Sequence, residues 1–273
     1  MERRSIERTA KLLGEARLSR RQLTELPAEC IPPDEASAYL VQDALYDWLA
    51  KRDLGRVGGY KVGLVSADMR ESMGGRDVLG VNSPVYGGIM TDCMLNSPTS
   101  IPFDSFIRPY VEGEFAVRIG ADVPADAGKL CRHSISDFVA DCLAGIELVD
   151  WRLKYLEFPP PLATLMLADG GSNWGSVVGA PIKDWRTLDI PALRGELRLD
   201  GRLVGGGKAS DLQGHPFEVL AWLANRLIER GHTLRAGDVV LLGSVTPSSC
   251  DFAKGAEVVM EWDGLGEAIV RFV

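Results

Sequence analysis

Two glutamates, Glu112 and Glu114, are separated by a single glycine in a run of residues that alternates like a β-strand. Side chains at positions i and i+2 of an extended chain leave the same face, roughly 6.5 to 7 Å apart. Two like charges at that spacing repel each other and raise a carboxyl pKa unless a cation lies between them. Such ligands favour a hard divalent ion, Mg²⁺ or Mn²⁺. The competing interpretation is two acids facing water at a strand edge.

A third acid, Glu147, lies within the apolar run 143–149. Burying it without a partner would leave it protonated, so it either faces solvent or has a cation beside it. Together with Glu112 and Glu114, it would supply three carboxylates to an octahedral Mg²⁺ site that keeps positions for water and substrate.

Lys61 lies between Tyr60 and Val62 in a short alternating run. A lysine in this setting usually reaches solvent from a strand edge. If it instead faces a metal site, burial and the neighbouring cation lower its pKa, which makes it a usable acid or base. It could also pair with a bound carboxylate.

The segment 168–175 is rich in glycine and precedes a short strand-like run. It is either a simple tight turn or a loop in which the amide of Gly171 and the hydroxyl of Ser172 hold a substrate carboxylate. The hydroxyls of Ser244 and Thr246, which follow another strand-like run, could serve in the same way.

Composition limits the class of protein. The chain has 273 residues, 46% of them hydrophobic, and a formal net charge of −8. A basic footprint for nucleic acid or an anionic membrane is absent, and no apolar run approaches the roughly 18 residues of a membrane span. Five widely spaced cysteines and three scattered histidines indicate neither a disulfide framework nor a histidine-based metal site. We expect a cytoplasmic protein that acts on a small molecule.

The predicted elements are helices near the N-terminus and short strands towards the C-terminus. Two helices, the second capped by Asp34, precede a strand at 60–65, and a short helix is predicted over 68–73. Another helix is predicted to begin at Ser136 and continue through Leu143. The last hundred residues read as strands around a helix at 216–230, with two hairpins at Asp-Gly turns.

This pattern predicts an α+β fold with a large antiparallel component. No Gly-x-Gly-x-x-Gly follows a strand, so a nucleotide cofactor is not expected. We expect an N-terminal helical segment, residues 1–60, and a β-rich catalytic domain, residues 61–273, joined in one compact unit.

Several short motifs occur in an order that resembles the 2-keto-4-pentenoate hydratase and 4-oxalocrotonate decarboxylase family. That family is part of the wider fumarylacetoacetate hydrolase-like fold. The resemblance begins near Ala36 and reaches the C-terminus. The motifs are Gly59-Tyr60-Lys61-Val62-Gly63-Leu64, Pro109-Tyr110-Val111-Glu112-Gly113-Glu114-Phe115-Ala116, Ile146-Glu147-Leu148-Val149-Asp150, Asp169-Gly170-Gly171-Ser172, Gly214-His215-Pro216, Trp222-Leu223-Ala224-Asn225 and Gly237-Asp238-Val239-Val240-Leu241-Leu242-Gly243-Ser244.

The resemblance implies mixed and antiparallel sheets that form a β-rich roll with flanking helices. It also implies that the three glutamates bind Mg²⁺ or Mn²⁺, that the ion chelates a 2-oxo acid, and that Lys61 is the active-site lysine. Polarising the 2-oxo group allows water to add at a conjugated double bond or CO₂ to leave. Members of this fold commonly form symmetric homo-oligomers.

Two positions depart from the family pattern. Family hydratases commonly have an aspartate after the proline of the loop that follows the lysine, whereas this chain has Val85 in Pro84-Val85-Tyr86-Gly87. This resembles the decarboxylase branch and puts a lysine–aspartate proton relay in doubt. Gly170 stands where the family usually has asparagine, so one carboxylate-binding side chain is missing or replaced by a main-chain contact.

We therefore expect a metal-dependent lyase, most simply a hydratase of a 2-hydroxypenta-2,4-dienoate-like substrate in aromatic catabolism. A 4-oxalocrotonate-type decarboxylase is the nearest alternative. Two further alternatives are a hydrolase that cleaves the carbon–carbon bond of an acylpyruvate, and a metal-binding partner subunit without activity of its own.

Overall fold

The structure, a computed structural model, describes residues 1–66, 71, 84–154, 162–246 and 250–273. The helix predicted over 68–73 lies outside the described residues, apart from Glu71. None of the described helices is both long and apolar enough to cross a membrane.

The described α-helices flank the sheets. They are α1 (Arg3–Ser19), α2 (Glu35–Ala50), α3 (Arg132–Ser136), α4 (Leu162–Ala168) and α5 (Pro216–Glu229). The Ser37 amide donates to the Asp34 carboxylate at 2.7 Å, which confirms the predicted cap of α2. Gly231 follows α5 with φ of +79°, the left-handed conformation that ends many helices.

The strands form two mixed sheets. They are β1 (Val57–Gly63), β2 (Val85–Met90), β3 (Met94–Asn96), β4 (Thr99–Ile101), β5 (Pro109–Ile119), β6 (Val139–Asp150), β7 (Asn173–Val178), β8 (Arg194–Leu199), β9 (Arg202–Lys208), β10 (Val239–Ser244), β11 (Cys250–Asp251), β12 (Glu257–Trp262) and β13 (Gly266–Phe272). The larger sheet has the order β2-β1-β10-β5-β6-β7-β3, with β11 paired to β5, and the smaller has the order β4-β13-β12-β8-β9. This confirms the predicted α+β class with mixed sheets.

Most of the described strand pairs are antiparallel, as the sequence predicts. Both Asp-Gly hairpins are present, one joining β8 to β9 and the other joining β12 to β13. At the first of them, Asp200 and Gly201 have φ of +50° and +77°. Positive φ at both central residues is what a two-residue turn needs to match the twist of its strands. The parallel pairs are β1 with β10, β3 with β7 and β4 with β13.

The helix predicted from Ser136 through Leu143 is wrong. The helix there, α3, ends at Ser136, and the segment from Val139 to Asp150 is a single strand, β6. β6 lies between β5 and β7, and both of its faces are buried almost throughout. A strand buried on both faces has no alternation to reveal it, so an apolar run of this kind resembles a buried helix. Similarly, Val85 begins β2 instead of lying in a loop.

The glycine between the two glutamates faces the second sheet. A Cβ on Gly113 would lie 2.4 Å from Met260 Sδ and 3.4 Å from Leu197 Cδ1, which belong to β12 and β8. The indole of Trp262 donates to the Glu114 carbonyl at 2.9 Å. Close packing of the two sheets therefore requires glycine at position 113. Because side chains alternate along a strand, the carboxylates of Glu112 and Glu114 then lie on the opposite face of β5.

The predicted boundary between residues 60 and 61 falls inside β1. Helix α2 also contacts residues beyond that boundary, since the Gln42 amide donates to the carbonyl of Tyr86 in β2 and to that of Leu167 in α4. The division into a helical segment and a catalytic domain stays a prediction.

Candidate metal centre

Glu112, Glu114 and Glu147 meet on one face of the larger sheet. Glu112 and Glu147 are directly opposite each other in the β5–β6 ladder, and Glu114 lies two residues further along β5. One carboxylate oxygen from each residue lies within 4.8 Å of the others. Among the residues that the structure describes, these three form the group of acids, histidines and cysteines that could hold a metal ion.

Two oxygens in this group are buried without a hydrogen-bond partner. Glu114 Oε2 accepts from the Gly243 amide at 2.7 Å, whereas its Oε1 has no partner. Glu147 Oε1 accepts from the Asn173 amide at 3.0 Å, whereas its Oε2 has none. Burying a carboxylate oxygen without a partner costs free energy, and a hard cation coordinated by both oxygens would offset that cost. The donor set therefore fits Mg²⁺ or Mn²⁺.

The acids perturb one another strongly. Burial, and then the charge of Glu147, raise the pKa of Glu112 to about 7. The same two causes, in that order, raise the pKa of Glu114 well above its usual range, and Glu112 adds to them. These raised pKa values favour the protonated acids when no cation is present, whereas a divalent cation would favour the charged carboxylates.

Lys61 extends from β1 into this group. Its Nζ lies 3.2 Å from Glu147 Oε1, and only 9% of its side chain is exposed. It is therefore not a strand-edge residue reaching solvent. Burial lowers the pKa of Lys61, but the three glutamates outweigh that effect and the net pKa is raised. The sequence predicts a lowered Lys61 pKa only if a metal ion lies beside the lysine. The carboxylates without an ion have the opposite effect.

Gly171 makes room for the Lys61 ammonium, and Gly63 lies at ordinary contact distance from it. A Cβ on Gly171 would lie 2.6 Å from Nζ, closer than real contacts allow, and a Cβ on Gly63 would lie 3.6 Å from it. Gly63 pairs with Val85 across β1 and β2, and the same Cβ position is 3.7 Å from Val85 Cγ2. A buried apolar side chain thus lies near Lys61, where a proton relay would need an acid.

Three consecutive residues of the glycine-rich segment have left-handed backbone conformations. Gly170, Gly171 and Ser172 all have φ near +60°, at 65°, 65° and 59°. A Cβ on Gly170 would lie 2.4 Å from the hydroxyl of Tyr46, which accepts from the Gly88 amide at 2.6 Å. The Tyr46 hydroxyl therefore lies where a larger residue at 170 would begin its side chain. The buried Ser172 hydroxyl donates to Asp169 at 3.3 Å.

The other two predicted ligands, Ser244 and Thr246, lie next to β5. Ser244 is opposite Glu114 in the β10–β5 ladder, and its hydroxyl is 2.7 Å from that of Thr246. The buried Thr246 lies next to Gly113, whose Cβ would be 3.3 Å from the Thr246 methyl group. The structure thus brings Gly171 and Ser244 next to the acids and the lysine. Substrate binding by Ser172, Ser244 and Thr246 stays a prediction.

Sequence reasoning missed three residues that organise the centre: Asn173, Gly243 and Arg152. Arg152 is fully buried, donates to Asp169 at 2.8 Å, and also bonds to the Asn173 carbonyl at 3.1 Å. The sequence contained a signal for Arg152, because it lies three residues after the apolar pair Leu148-Val149, and a charged residue that is buried requires a partner. Asn173 and Gly243 gave no comparable signal, since their contacts depend on the pairing of distant strands.

Comparison with known proteins places the chain in a family. Residues 92–273 match the family described as fumarylacetoacetate (FAA) hydrolase, C-terminal. The chain belongs to the fumarylacetoacetate hydrolase family. It is 31% identical to a 2-keto-4-pentenoate hydratase of Burkholderia vietnamiensis, over 98% of this chain and 97% of the relative. It is 27% identical to a 4-oxalocrotonate decarboxylase of Pseudomonas putida, over 87% of this chain and 85% of the relative.

Solved structures confirm the fold. A 4-oxalocrotonate decarboxylase from Pseudomonas putida, complexed with magnesium and adipate, superposes with a TM-score of 0.87 at 23% identity, covering 100% of this chain and 99% of that one. A fumarylpyruvate hydrolase from Pseudomonas aeruginosa, in complex with Mn²⁺ and pyruvate, gives a TM-score of 0.60 at 18% identity, over 78% and 88% of the two chains.

The contact between Gly171 and Lys61 predicts that Gly171→Ala lowers activity. The new methyl group would displace the ammonium, and a misplacement of about 1 Å can cost roughly 100-fold in rate. Steady-state kinetics of the purified variant measure the loss. Gly201→Ala is the matched control, because Gly201 also has positive φ, +77°, but a Cβ there meets nothing within 4 Å. Equal activities of the two variants would contradict the role of Gly171.

The raised pKa of Glu112 predicts opposite pH trends for stability with and without metal. The folded-state pKa, about 7, is above the unfolded value near 4.5, so the proton stabilises the metal-free fold. That contribution is present below the unfolded pKa and is lost as the pH rises through about 7. Metal binding requires the deprotonated acid, so the stabilisation by Mn²⁺ grows over the same range.

Thermal melts from about pH 5 to about pH 8, in EDTA and in MnCl₂, measure both trends. Glu112→Gln is the control, because removing the titrating group should flatten the Glu112 contribution to each curve. A Mn²⁺-induced shift in Tm that does not change with pH would contradict the assignment of Glu112 as a metal ligand.

Proposed function

We propose that the protein is a lyase that uses a divalent metal ion and acts on 2-oxo acids, and that it hydrates a 2-hydroxypenta-2,4-dienoate-like substrate. The observation that carries the proposal is the set of three converging glutamates with two unpaired oxygens and a buried lysine beside them. The end-to-end similarity to a 2-keto-4-pentenoate hydratase supports the choice of reaction.

Glu112, Glu114 and Glu147 would hold Mg²⁺ or Mn²⁺. The bound ion would supply Lewis-acid polarisation of the substrate's 2-oxo oxygen. The Lys61 ammonium, which lies against Gly171 and beside Glu147, would offer a positive charge to the substrate carboxylate or to negative charge that develops during the reaction. We assign substrate contacts to Gly171 and Ser172, in the 3-10 turn before β7, and to Ser244 and Thr246, at and just beyond the end of β10.

Decarboxylation of a 4-oxalocrotonate-type substrate is the second candidate. The position of Val85 favours it, because the space near Lys61 contains an apolar side chain where hydration by a lysine–aspartate relay would need an acid. The similarity to a 4-oxalocrotonate decarboxylase supports the same reaction.

Two substrates separate the candidates. We expect purified protein with Mg²⁺ or Mn²⁺ to consume 2-hydroxypenta-2,4-dienoate, seen as loss of its ultraviolet absorbance, without releasing CO₂. Release of CO₂ from 2-oxohex-3-enedioate would instead establish the decarboxylase. If neither compound reacts, the lyase proposal fails for these substrates, and acylpyruvate cleavage and a non-catalytic partner subunit become the alternatives to test.

The metal ligands are tested separately from the substrate. Glu114→Gln should abolish both Mn²⁺ binding and turnover, because the amide removes a charge and replaces the unpaired ligand oxygen or its neighbour with a hydrogen-bond donor. Titration of free Mn²⁺ measures binding without any substrate. Glu261→Gln, on the exposed side of β12, should behave like the unaltered protein. Full activity of Glu114→Gln would contradict the site.

We also propose that the protein is cytoplasmic and forms a homo-oligomer. The acidic composition and the lack of a spanning helix in the described part of the chain are consistent with the first proposal. The second comes from the family resemblance, and light scattering of the purified protein tests it.

A further inference from the structure

The carboxylate of Glu147 has two unlike oxygens. Oε1 accepts from Asn173 Nδ2 at 3.0 Å and lies 3.2 Å from Lys61 Nζ. Oε2 is buried and has no hydrogen-bond partner. The donors on one side therefore determine which oxygen is left for a cation.

The two donors, Lys61 and Asn173, differ in their electrostatic effect on a cation bound nearby. The Lys61 ammonium is itself positive, so it opposes a metal ion placed beside it. The Asn173 amide is neutral, and it orients Glu147 without that repulsion. Its NH₂ group also donates to the Gly175 carbonyl at 3.2 Å, which fixes the direction of the side chain within β7.

The main chain at Asn173 is held by two arginines from distant parts of the sequence. Arg152, which follows β6, donates to the Asn173 carbonyl at 3.1 Å. Arg17, near the end of α1, donates to the same carbonyl at 3.1 Å and to the Trp174 carbonyl at 2.6 Å. A guanidinium reaches two carbonyls at once because its donors form a planar fork. The N-terminal helix is thereby tied to the segment that carries Asn173.

We propose that Asn173 is a positioning residue that turns Glu147 Oε2 towards the metal ion, and that Arg17 acts through Asn173 by holding its main chain. The inference rests on the proposed metal site and deepens it. It makes α1 part of the support of the metal centre, although α1 contributes no ligand. Partners that orient metal ligands in this way typically change metal affinity by 10- to 100-fold when removed.

The first test is Mn²⁺ binding by Asn173→Ala in the absence of substrate. We expect the Kd to rise on the order of 10-fold, and kcat to recover at saturating Mn²⁺, because the Asn173 amide donates to a proposed metal ligand and to a main-chain carbonyl. Free Mn²⁺ measured by electron paramagnetic resonance gives the Kd, and a melt in EDTA gives the stability of the metal-free protein. If Asn173→Ala does not fold, Asn173→Ser replaces it, since its hydroxyl is too short to reach Glu147.

Asn225→Ala is the matched control for lost stability. The Asn225 side chain makes two 2.9 Å hydrogen bonds to the main chain of Leu130, outside the metal centre. Its removal should lower the Tm in EDTA and leave the Mn²⁺ Kd unchanged. Unaltered Mn²⁺ affinity in Asn173→Ala, or an equal loss of affinity in both variants, would overturn the assignment of Asn173.

The second test asks whether Arg17 acts through Asn173. Arg17→Lys keeps the charge but cannot bridge both carbonyls, so we expect a smaller loss of Mn²⁺ affinity in the same direction. When Arg17→Lys is combined with Asn173→Ala, we expect little further loss of Mn²⁺ affinity, because the side chain that Arg17 positions is already absent. Arg20→Lys is the control, since Arg20 donates at 2.7 Å to the Asp104 carbonyl near the exposed end of α1. If the increase in Kd of the double variant equals the product of the increases in the two single variants, Arg17 does not act through Asn173.

Failure of the inference and failure of the metal site give different results. If the unaltered protein and Asn173→Ala bind Mn²⁺ equally, the inference is wrong and the site stands. If the unaltered protein binds no Mn²⁺, the three-glutamate site is wrong and the inference falls with it.

Discussion

The repulsion between carboxylates brought together on one buried face is the constraint on which the rest of the site depends. Glu112, Glu114 and Glu147 approach one another where burial already disfavours charge, and the pKa values of the first two rise accordingly. Such a cluster is tolerable only if protons, a lysine or a metal ion offset the charge. Lys61 supplies one positive charge, which leaves the group acidic and suited to a divalent cation.

The fold meets this constraint by placing the acids on two long strands at the centre of the larger sheet. β5 and β6 form a long antiparallel ladder at the middle of the larger sheet, and the second sheet packs against the opposite side at Gly113. The oxygens that do not face the shared space are held by Gly243 and Asn173. In the proposed metal site, these contacts would orient the ligand oxygens before an ion binds, which would lower the cost of assembling the site.

The surroundings of Lys61 contain the two departures from the expected family pattern that the sequence predicts. Val85 lies near the ammonium group, and Gly170 leaves room for the hydroxyl of Tyr46. Both departures remove a polar side chain from the expected pattern. The charge partner of Lys61 that the structure shows is a metal-ligand candidate, Glu147, rather than a separate aspartate. This couples the lysine to the acids and links the choice between hydration and decarboxylation to the environment of one ammonium group.

Much of the fold was readable from local signals, and the misses share one cause. The cap at Asp34, the helix at 216–230 and the two Asp-Gly hairpins depend on residues within a few positions of each other, so the sequence predicts them well. The strand β6 was mistaken in part for a helix because burial on both faces erased its alternation.

By itself, the sequence determined that Glu112 and Glu114 share a face, because alternation in a strand is a property of the local backbone. The ordered motifs indicated the family and singled out Glu147 and Lys61. Only the tertiary structure decided that these four residues meet, that Gly171 lies against the lysine, and that Asn173 donates to Glu147 while Arg17 donates to the Asn173 carbonyl. Those contacts join strands and helices far apart in the chain, and such pairings depend on sheet order and packing, which no short segment contains.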